Sequence, residues 1–178
     1  MGQTRSSTCP QVILVGLDSA GKSTLLARLL TGQVVETSPT IGFNVGSWDL
    51  DKKTSLTVWD VGGQKSMRPN WRFYLDNCKA LVFVVDSSEP GRMMEAHRSL
   101  KKVLSDDRLR GVPLMVLANK KDLPNSMTIR EASPPPLQAC PPPYRRVPLP
   151  YRRVPLPTGE STSLQASPPP YRRVFIPE

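Results

Sequence analysis

Residues 16–23 of the chain (GLDSAGKS) fit the pattern GxxxxGK[ST]. They follow a short apolar run at residues 11–15, typical of a buried strand, and open a segment with leucines at helical spacing, residues 22–30. In this arrangement, glycines let backbone N–H groups surround phosphate oxygens, and the start of the helix adds partial positive charge. Lys22 would reach the outer phosphates, and the Ser23 hydroxyl would ligate Mg²⁺. The pattern therefore predicts a nucleotide-phosphate site.

A second motif, WDVGGQ, occupies residues 59–64 at the end of another predicted strand. Asp60 can hold Mg²⁺ through water, Gly63 can offer its N–H to a terminal phosphate, and Gln64 can orient an attacking water. Taken alone, the DVGGQ segment could be an ordinary strand-to-loop turn, and for an isolated DxGG that is the favoured interpretation. The order and placement of the motifs favour the phosphate interpretation.

A third motif, NKxD, is formed by Asn119, Lys120 and Asp122 after a third apolar run. A carboxylate can accept both N–H donors of guanine, while the stem of the lysine lies along the base. By itself, NKxD is a common surface tetrapeptide. Three motifs in this order, each at the carboxyl end of a strand, predict a guanine-nucleotide site because ligands of open α/β sheets bind at that edge.

The elements that must position these motifs alternate between strands and helices. Residues 44–50 and 55–60 flank a polar turn and predict a hairpin. Residues 80–86 and 112–119 are continuous apolar runs, and residues 91–104 between them have loosely helical spacing. This alternation indicates an α/β domain with a mostly parallel sheet.

The motifs and the segments around them resemble the ADP-ribosylation-factor-like (Arf-like) small GTPases. The resemblance rests on GLDSAGKS, SPTIGFNV, WDVGGQ followed by MRPNWRFYL, and ANKKDLPNSM. It implies a P-loop GTPase fold, with helices on both faces of a mostly parallel sheet. It also implies a GTP-binding switch protein that hydrolyses GTP slowly with Mg²⁺ and acts in membrane traffic or membrane-associated signalling. Exchange factors, activating proteins and effectors are the partners expected at its switch regions.

The resemblance assigns roles residue by residue. Gln64 is the expected catalytic residue, and Ser23 and Thr40 are the expected metal ligands. The expected nucleotide-binding residues are Gly16, Leu17, Asp18, Ser19, Ala20, Gly21, Lys22, Ser23, Thr24, Thr40, Asp60, Gly63, Asn119, Lys120 and Asp122.

Aromatic and basic residues near the second motif have an expected role in switching. The aromatic cluster that relatives show to effectors corresponds to Phe43, Trp59 and Tyr74. For Trp59, core packing is an equally good interpretation. Arg68, Trp71 and Arg72 are expected to have a structural role in the switch.

The N-terminal segment, residues 1–10, fits the N-myristoylation pattern M-G-x-x-x-[ST], with Gly2 as the acylated residue. One myristoyl chain binds a membrane only marginally, so a second signal would be needed. Palmitoylation of Cys9 or the arginines of the tail could supply it. For Cys9 an unmodified thiol is the favoured interpretation.

Composition restricts the compartment and the partners. The formal net charge is +9 and the chain has three widely spaced cysteines, which exclude a zinc spacing and disfavour a disulfide framework. Basic charge of this size favours anionic surfaces without specifying a nucleic acid, but lysines that simply face solvent are the favoured explanation. We expect a cytoplasmic protein, in part at cytosolic membrane surfaces.

The α/β pattern ends near residue 132, and most of the 20 prolines follow it. The sequence predicts a truncated GTPase domain at residues 11–132 and a Pro/Arg-rich, repetitive, disordered tail at residues 133–178. The resemblance implies a further strand and two helices that residues 131–178 do not predict. We therefore expect an unpaired edge at residues 112–119 and a marginally stable domain that retains nucleotide weakly.

Two hypotheses of different classes remain at this point. The first is the active GTP switch. The second is a catalytically impaired variant that acts as a binding module, because residues 141–144 and 168–171 (PPPY) fit PPxY, a ligand of WW domains. For the tail, inert disorder is as good an interpretation as recruitment.

Overall fold

The computed structural model describes residues 9–51, 54–132 and 174–175. Within that part of the chain, six strands form one sheet in the order β2-β3-β1-β4-β5-β6. The strands are β1 (Gln11–Gly16), β2 (Phe43–Asp51), β3 (Thr54–Val61), β4 (Cys78–Asp86), β5 (Leu114–Asn119) and β6 (Val174–Phe175). The helices are α1 (Lys22–Thr31), α2 (Met93–Leu104), α3 (Ile129–Ala132) and the 3-10 helices Arg68–Tyr74, Pro90–Arg92 and Asp107–Leu109.

The centre of the sheet is parallel. Strand β1 pairs in parallel with both β3 and β4, and β4 pairs in parallel with β5. The hairpin β2–β3 is antiparallel, with Phe43 opposite Val61. The predicted α/β fold with a mostly parallel sheet is thus confirmed. Because β1 and β4 are covered on both faces, their sequences are continuous apolar runs without polar alternation.

Each face of the sheet carries its own cluster of buried hydrophobic side chains. Ile13 and Val15 of β1 pack with Leu100 of α2 on one face, whereas Leu14 packs with Leu26 of α1 on the other. This follows from the strand period of two, which sends neighbouring side chains to opposite faces. Helices on both faces therefore hold the carboxyl ends of the strands in place.

The 3-10 helix Arg68–Tyr74 was not predicted as an element. Its sequence lacks helical periodicity, and Pro69 stands at its start. Trp71 within the helix and Leu75 at its end are buried. A few large side chains therefore anchor this helix to the hydrophobic cluster on the α2 side of the sheet. Hydrophobic periodicity in the sequence does not reveal such an element.

The end of the chain differs in part from the prediction. Strand β6 pairs antiparallel with β5, with Phe175 opposite Val116 and Val174 opposite Leu117. The expectations of a wholly unpaired edge and of no strand after residue 131 are therefore wrong for these two residues. An open edge offers free N–H and C=O groups, and valine and phenylalanine favour strands. The rest of the predicted disordered tail lies outside the described residues.

We expect β6 to protect the edge of the sheet. A chain ending at Arg173 should show faster amide exchange across Leu114–Asn119 than the full chain, because the paired N–H and C=O groups of β5 return to water. A net loss of one hydrogen bond, about 1 kcal/mol, corresponds to a lower Tm by a few degrees. Hydrogen-exchange mass spectrometry and a thermal melt measure both effects.

The matched control is a chain ending at Phe175, which loses residues 176–178 and keeps β6. Equal exchange in the two truncated chains would contradict the protective role of this strand.

Candidate nucleotide site

The first motif is a loop between β1 and α1. Gly21 stands at the N-cap of α1 with φ of 87°, a conformation that favours glycine. A Cβ at Gly21 would lie 2.3 Å from Asn119 Nδ2. That nitrogen donates to Ala20 O at 2.9 Å, so the first and third motifs are in direct contact.

Lys22 is folded back into this loop. Its side chain is buried, and Nζ donates to Leu17 O at 2.8 Å and to Gly16 O at 3.2 Å. Burial lowers the pKa of the Lys22 ammonium to about 8, and the negative charge of Asp60 opposes part of that decrease. The loop therefore surrounds a poorly solvated cation, which an anion would stabilise.

Asp60, at the end of β3, gathers three donors around one buried oxygen. Its Oδ2 accepts hydrogen bonds from Ser23 Oγ at 2.6 Å, Thr40 Oγ1 at 3.2 Å and Asn44 Nδ2 at 3.0 Å. The hydroxyls of Ser23 and Thr40 lie 2.7 Å apart. Asp60 Oδ1 is buried and has no hydrogen-bond partner among the described residues. Two hydroxyls and a carboxylate with a free oxygen fit a hard cation such as Mg²⁺.

The second motif packs on the first. The Asp18 N–H donates to Gly63 O at 3.2 Å, and the Gly62 N–H donates to Gly42 O at 2.9 Å. A Cβ at Gly63 would lie 2.4 Å from Gly16 O, so only glycine allows this approach. The Gln64 side chain is exposed beside this contact.

The third motif is held from β4. Lys120 has φ of 58° and forms an ion pair with Asp86 at the end of β4. Burial opposes ionisation of Asp86, but hydrogen bonds from Lys120 and Ser88 outweigh it and keep the pKa below its usual value. Ser87 donates its hydroxyl and its N–H to Asn119 O, at 2.5 and 3.0 Å. The carboxylate of Asp122 is exposed.

Comparison with known proteins agrees with this geometry. Residues 3–134 match the model of the ADP-ribosylation factor family. The chain belongs to this family. Among solved structures, the Arl6 BBS3 small GTPase from Trypanosoma brucei with the nucleotide analogue GppNp is 32% identical, with a TM-score of 0.64 over 70% of this chain and 75% of that one. The mammalian SRP receptor is 31% identical, with a TM-score of 0.62 over 68% of each chain. The chain thus has the fold of an Arf-like GTP-binding switch protein.

In this Arf-family chain, three aromatic side chains meet on the sheet beside the second motif. The ring centroids of Phe43 and Trp59 are 4.9 Å apart, and Tyr74 lies 5.5 Å from Phe43 and 6.2 Å from Trp59. Phe43 and its neighbour Ile41 are exposed, Ile41 by 83%. The cluster therefore joins the hairpin to the 3-10 helix Arg68–Tyr74 while offering an apolar surface to solvent.

The structure brings together most of the predicted site of this Arf-family domain. Ser23, Thr40 and Asp60 form one hydrogen-bonded group, and Asn119 contacts the first motif. Thr24 lies beside them and shares a hydrogen bond with Thr37, outside that group.

Sequence reasoning missed Asn44, Asp86 and Ser87 as contributors to this site. Asn44 alternates with apolar residues on β2 like any solvent-facing strand residue. Asp86 is the polar last residue of the run at residues 80–86, which was interpreted only as a strand. The available signal was position, since both Asp86 and Ser87 follow an apolar run at the edge where the motifs lie.

The buried ammonium of Lys22 predicts a pH-dependent affinity. Phosphate binding favours the charged form, so above a pKa of about 8 the site must take up a proton when it binds. Affinity for GDP should be nearly constant below pH 8 and then decrease by up to about tenfold per pH unit. Calorimetric titration between about pH 7 and 9 measures this decrease.

Lys22→Gln is the matched variant. It should bind GDP more weakly, and its affinity should not depend on pH over this range, because it lacks the titrating ammonium. Constant affinity of the unmodified chain over the same range would contradict the prediction.

Proposed function

We propose that this chain binds GTP and GDP together with Mg²⁺ and hydrolyses GTP slowly. The observation that carries the proposal is the convergence of the three motifs at one edge of the sheet. Asn119 is hydrogen-bonded to Ala20, and Gly63 is packed on Gly16, so the segments expected to contact guanine and phosphate lie next to each other. Strands β1, β3 and β5 each end there.

The phosphate groups would lie in the loop of residues 16–23. Lys22 supplies a positive charge that burial leaves poorly solvated, and the N–H groups at the start of α1 supply partial charges. The Gly63 N–H would donate to the terminal phosphate. Ser23 and Thr40 would hold Mg²⁺, with Asp60 acting on it through water. Bound there, Mg²⁺ would neutralise charge on the phosphates.

Guanine would be recognised by the third motif. Asp122 would accept both N–H donors of the base, and the stem of Lys120 would lie along its face. The ion pair with Asp86 holds the Lys120 side chain, and the contact with Ala20 holds that of Asn119. Discrimination against ATP would follow, because adenine cannot satisfy the Asp122 carboxylate.

Hydrolysis would rely on water positioned by Gln64, whose exposed side chain is free to turn towards the phosphates. Arg68, the arginine nearest to the second motif in the sequence, donates to Gly63 O, Asp18 and Glu95. Its charge is engaged by protein acceptors. An activating protein would therefore have to supply an arginine for rapid turnover.

Effectors and regulators would bind the surface around the aromatic cluster. Ile41, Phe43 and Val45 are exposed apolar residues on and before β2. Their position next to Thr40 couples this surface to the metal ligands, so its shape would depend on the bound nucleotide.

We place this activity at the cytosolic face of a membrane, in traffic or signalling. The N-myristoylation pattern at Gly2 supports this placement, although residues 1–8 lie outside the described part of the chain. No helix of the described residues is long and apolar enough to cross a bilayer.

The alternative is a binding module that recruits WW-domain proteins through its PPxY segments, residues 141–144 and 168–171. These segments lie outside the described residues. The connected motif residues favour the GTP switch, because a module that works through its tail has no need of them.

The nucleotide site is tested by the content of the purified protein. GDP or GTP should co-purify and be lost on Mg²⁺ removal, and Lys22→Ala or Asp122→Ala should abolish retention. Gln64→Leu should slow hydrolysis while affinity remains, because this side chain acts on water. Chromatography of released nucleotide and single-turnover phosphate release measure these effects.

The matched control for Asp122→Ala is Asp107→Ala, which removes another exposed carboxylate, one that lies outside the three motifs and pairs with Arg110. Equal affinity for ATP and GTP would refute the role of Asn119 and Asp122 in guanine recognition.

Membrane attachment is tested at Gly2. Gly2→Ala should move the protein from membrane to cytosol in eukaryotic cells, because alanine does not accept the acyl chain. Fractionation and mass spectrometry of the N-terminal peptide measure this shift. An unmodified or acetylated N-terminus in the unaltered protein would end the hypothesis, and Cys9→Ser shows whether a second acyl chain contributes.

A further inference from the structure

Arg68 binds three separate segments through one guanidinium group. Its Nε donates to Gly63 O at 2.8 Å, one terminal nitrogen donates to Glu95 Oε1 at 2.8 Å, and the other donates to Asp18 Oδ1 at 3.1 Å. The side chain is 12% exposed. A guanidinium has the fixed fork that such a triple contact needs, whereas the ammonium of lysine is a single point of charge.

Gly63 stands between two peptide planes, and both are held from the same 3-10 helix. Trp71 Nε1 donates to Gly62 O at 2.9 Å in a buried contact, and Arg68 Nε donates to Gly63 O. In a trans peptide the N–H points away from the C=O. The tryptophan therefore sets the direction of the Gly63 N–H. The arginine sets that of the Gln64 N–H, together with the Asp18 N–H, which donates to the same Gly63 O at 3.2 Å.

Arg68 is in turn held in a ring of four charges. Arg92 donates to Asp18 Oδ1 at 2.8 Å and to Glu95 Oε2 at 3.2 Å, so both carboxylates contact both arginines. Burial opposes ionisation of Asp18, but Arg92 and Arg68 keep its pKa below the usual value. Glu95 and Arg92 lie on or beside α2, and Asp18 lies in the phosphate loop. Networks of this kind contribute more than isolated surface pairs because each side chain is fixed by several partners.

We propose that Arg68 is a positioning residue for the terminal-phosphate contact of Gly63. Trp71 holds the peptide before Gly63 and Arg68 holds the peptide after it, so the two together fix the residue whose N–H would meet the phosphate. The ion pairs of Arg68 tie this residue to the phosphate loop and to α2. The proposal rests on the proposed binding of GTP. A change at Arg68 should therefore weaken the binding of GTP more than that of GDP, because GDP lacks the terminal phosphate that would contact Gly63. Because Glu95 of α2 pairs with Arg68, a displacement of the Gly63 segment from the phosphate loop would also change the contacts of α2.

The test is Arg68→Lys, which keeps the charge and loses the fork. Affinity for a non-hydrolysable GTP analogue should decrease by about tenfold, the effect of losing a charge-assisted hydrogen bond, while affinity for GDP changes by less than about twofold. Titration of nucleotide-free protein with each fluorescent nucleotide measures the ratio. Arg92→Lys should decrease the same ratio to a smaller extent, because it leaves the bond to Gly63 O in place.

Arg108→Lys is the matched control, since Arg108 also pairs with two carboxylates, Asp76 and Asp106, away from the motifs. It should leave the ratio unchanged. An Arg68→Lys variant with an unchanged ratio, or with equal losses for both nucleotides, would overturn the proposal and leave Arg68 a purely structural residue.

Hydrogen exchange of the nucleotide-free protein separates this proposal from the proposed function. The amides of Asp18, which donates to Gly63 O, and of Met67, which donates to Gln64 O, should exchange faster in Arg68→Lys than in the unmodified chain and in Arg108→Lys, whether or not nucleotide binds. Unchanged exchange would refute the positioning role. Failure of the unmodified chain to bind either nucleotide would refute the proposed function instead.

Discussion

The carboxylate of Asp60 is fully buried, and much of the site is arranged around it. An ionised group in such a place is costly unless hydrogen bonds replace water. The donors come from Ser23 of α1, Thr40 of the following loop and Asn44 of β2. Residues 33–39 of that loop are exposed, and Thr40 is the first that is partly buried. Because the buried Asp60 carboxylate needs hydrogen-bond donors, Thr40 is bonded to it, and this bond links the exposed loop to β3.

Strand β4 carries no recognised motif and yet determines how two of the motifs meet. It lies between β1 and β5, so its carboxyl end separates the phosphate loop from the NKxD segment. Asp86 and Ser87 fill that gap by bonding to Lys120 and Asn119. Val84 O lies so close to Gly16 that a Cβ there would be 2.2 Å away. Strand β4 thus sets the spacing of the motifs through its backbone and through side chains that contact motif residues rather than the expected nucleotide.

Local pattern was sufficient for the elements that bury a regular face. The predicted helix at residues 22–30 is Lys22–Thr31, and the predicted strand at residues 112–119 is Leu114–Asn119. The helix has leucines at helical spacing and the strand is a continuous apolar run, so both can be recognised in a local window of the sequence. The motif residues were also predictable, because phosphate binding demands small residues and a lysine in a short span.

Contacts between distant segments could not be predicted in this way. Arg68 meets Asp18 across 50 residues, and Asn119 meets Ala20 across 99, so neither pair has a signal in a local window. Arg68 was expected to act in the switch, but its acceptors depend on how the 3-10 helix packs. Strand β6 was missed for a related reason, since two residues have no period and only an available edge makes them a strand.

Among the described residues, the two faces of the sheet are unequally supported, so a bound nucleotide would have a structural role. The cluster on the α2 side includes Trp71, Phe83 and Leu109, whereas the cluster on the α1 side is smaller and ends in partly buried residues such as Met115 and Leu117. A domain of this size has a free energy of unfolding of only about 5–15 kcal/mol. A ligand at a hundred times its Kd adds about 2.7 kcal/mol by binding the folded form alone. Because the motifs follow β1, β3 and β5, a nucleotide bound across them would connect three strands of the sheet. Folding and nucleotide retention in this chain are for that reason expected to be one linked equilibrium.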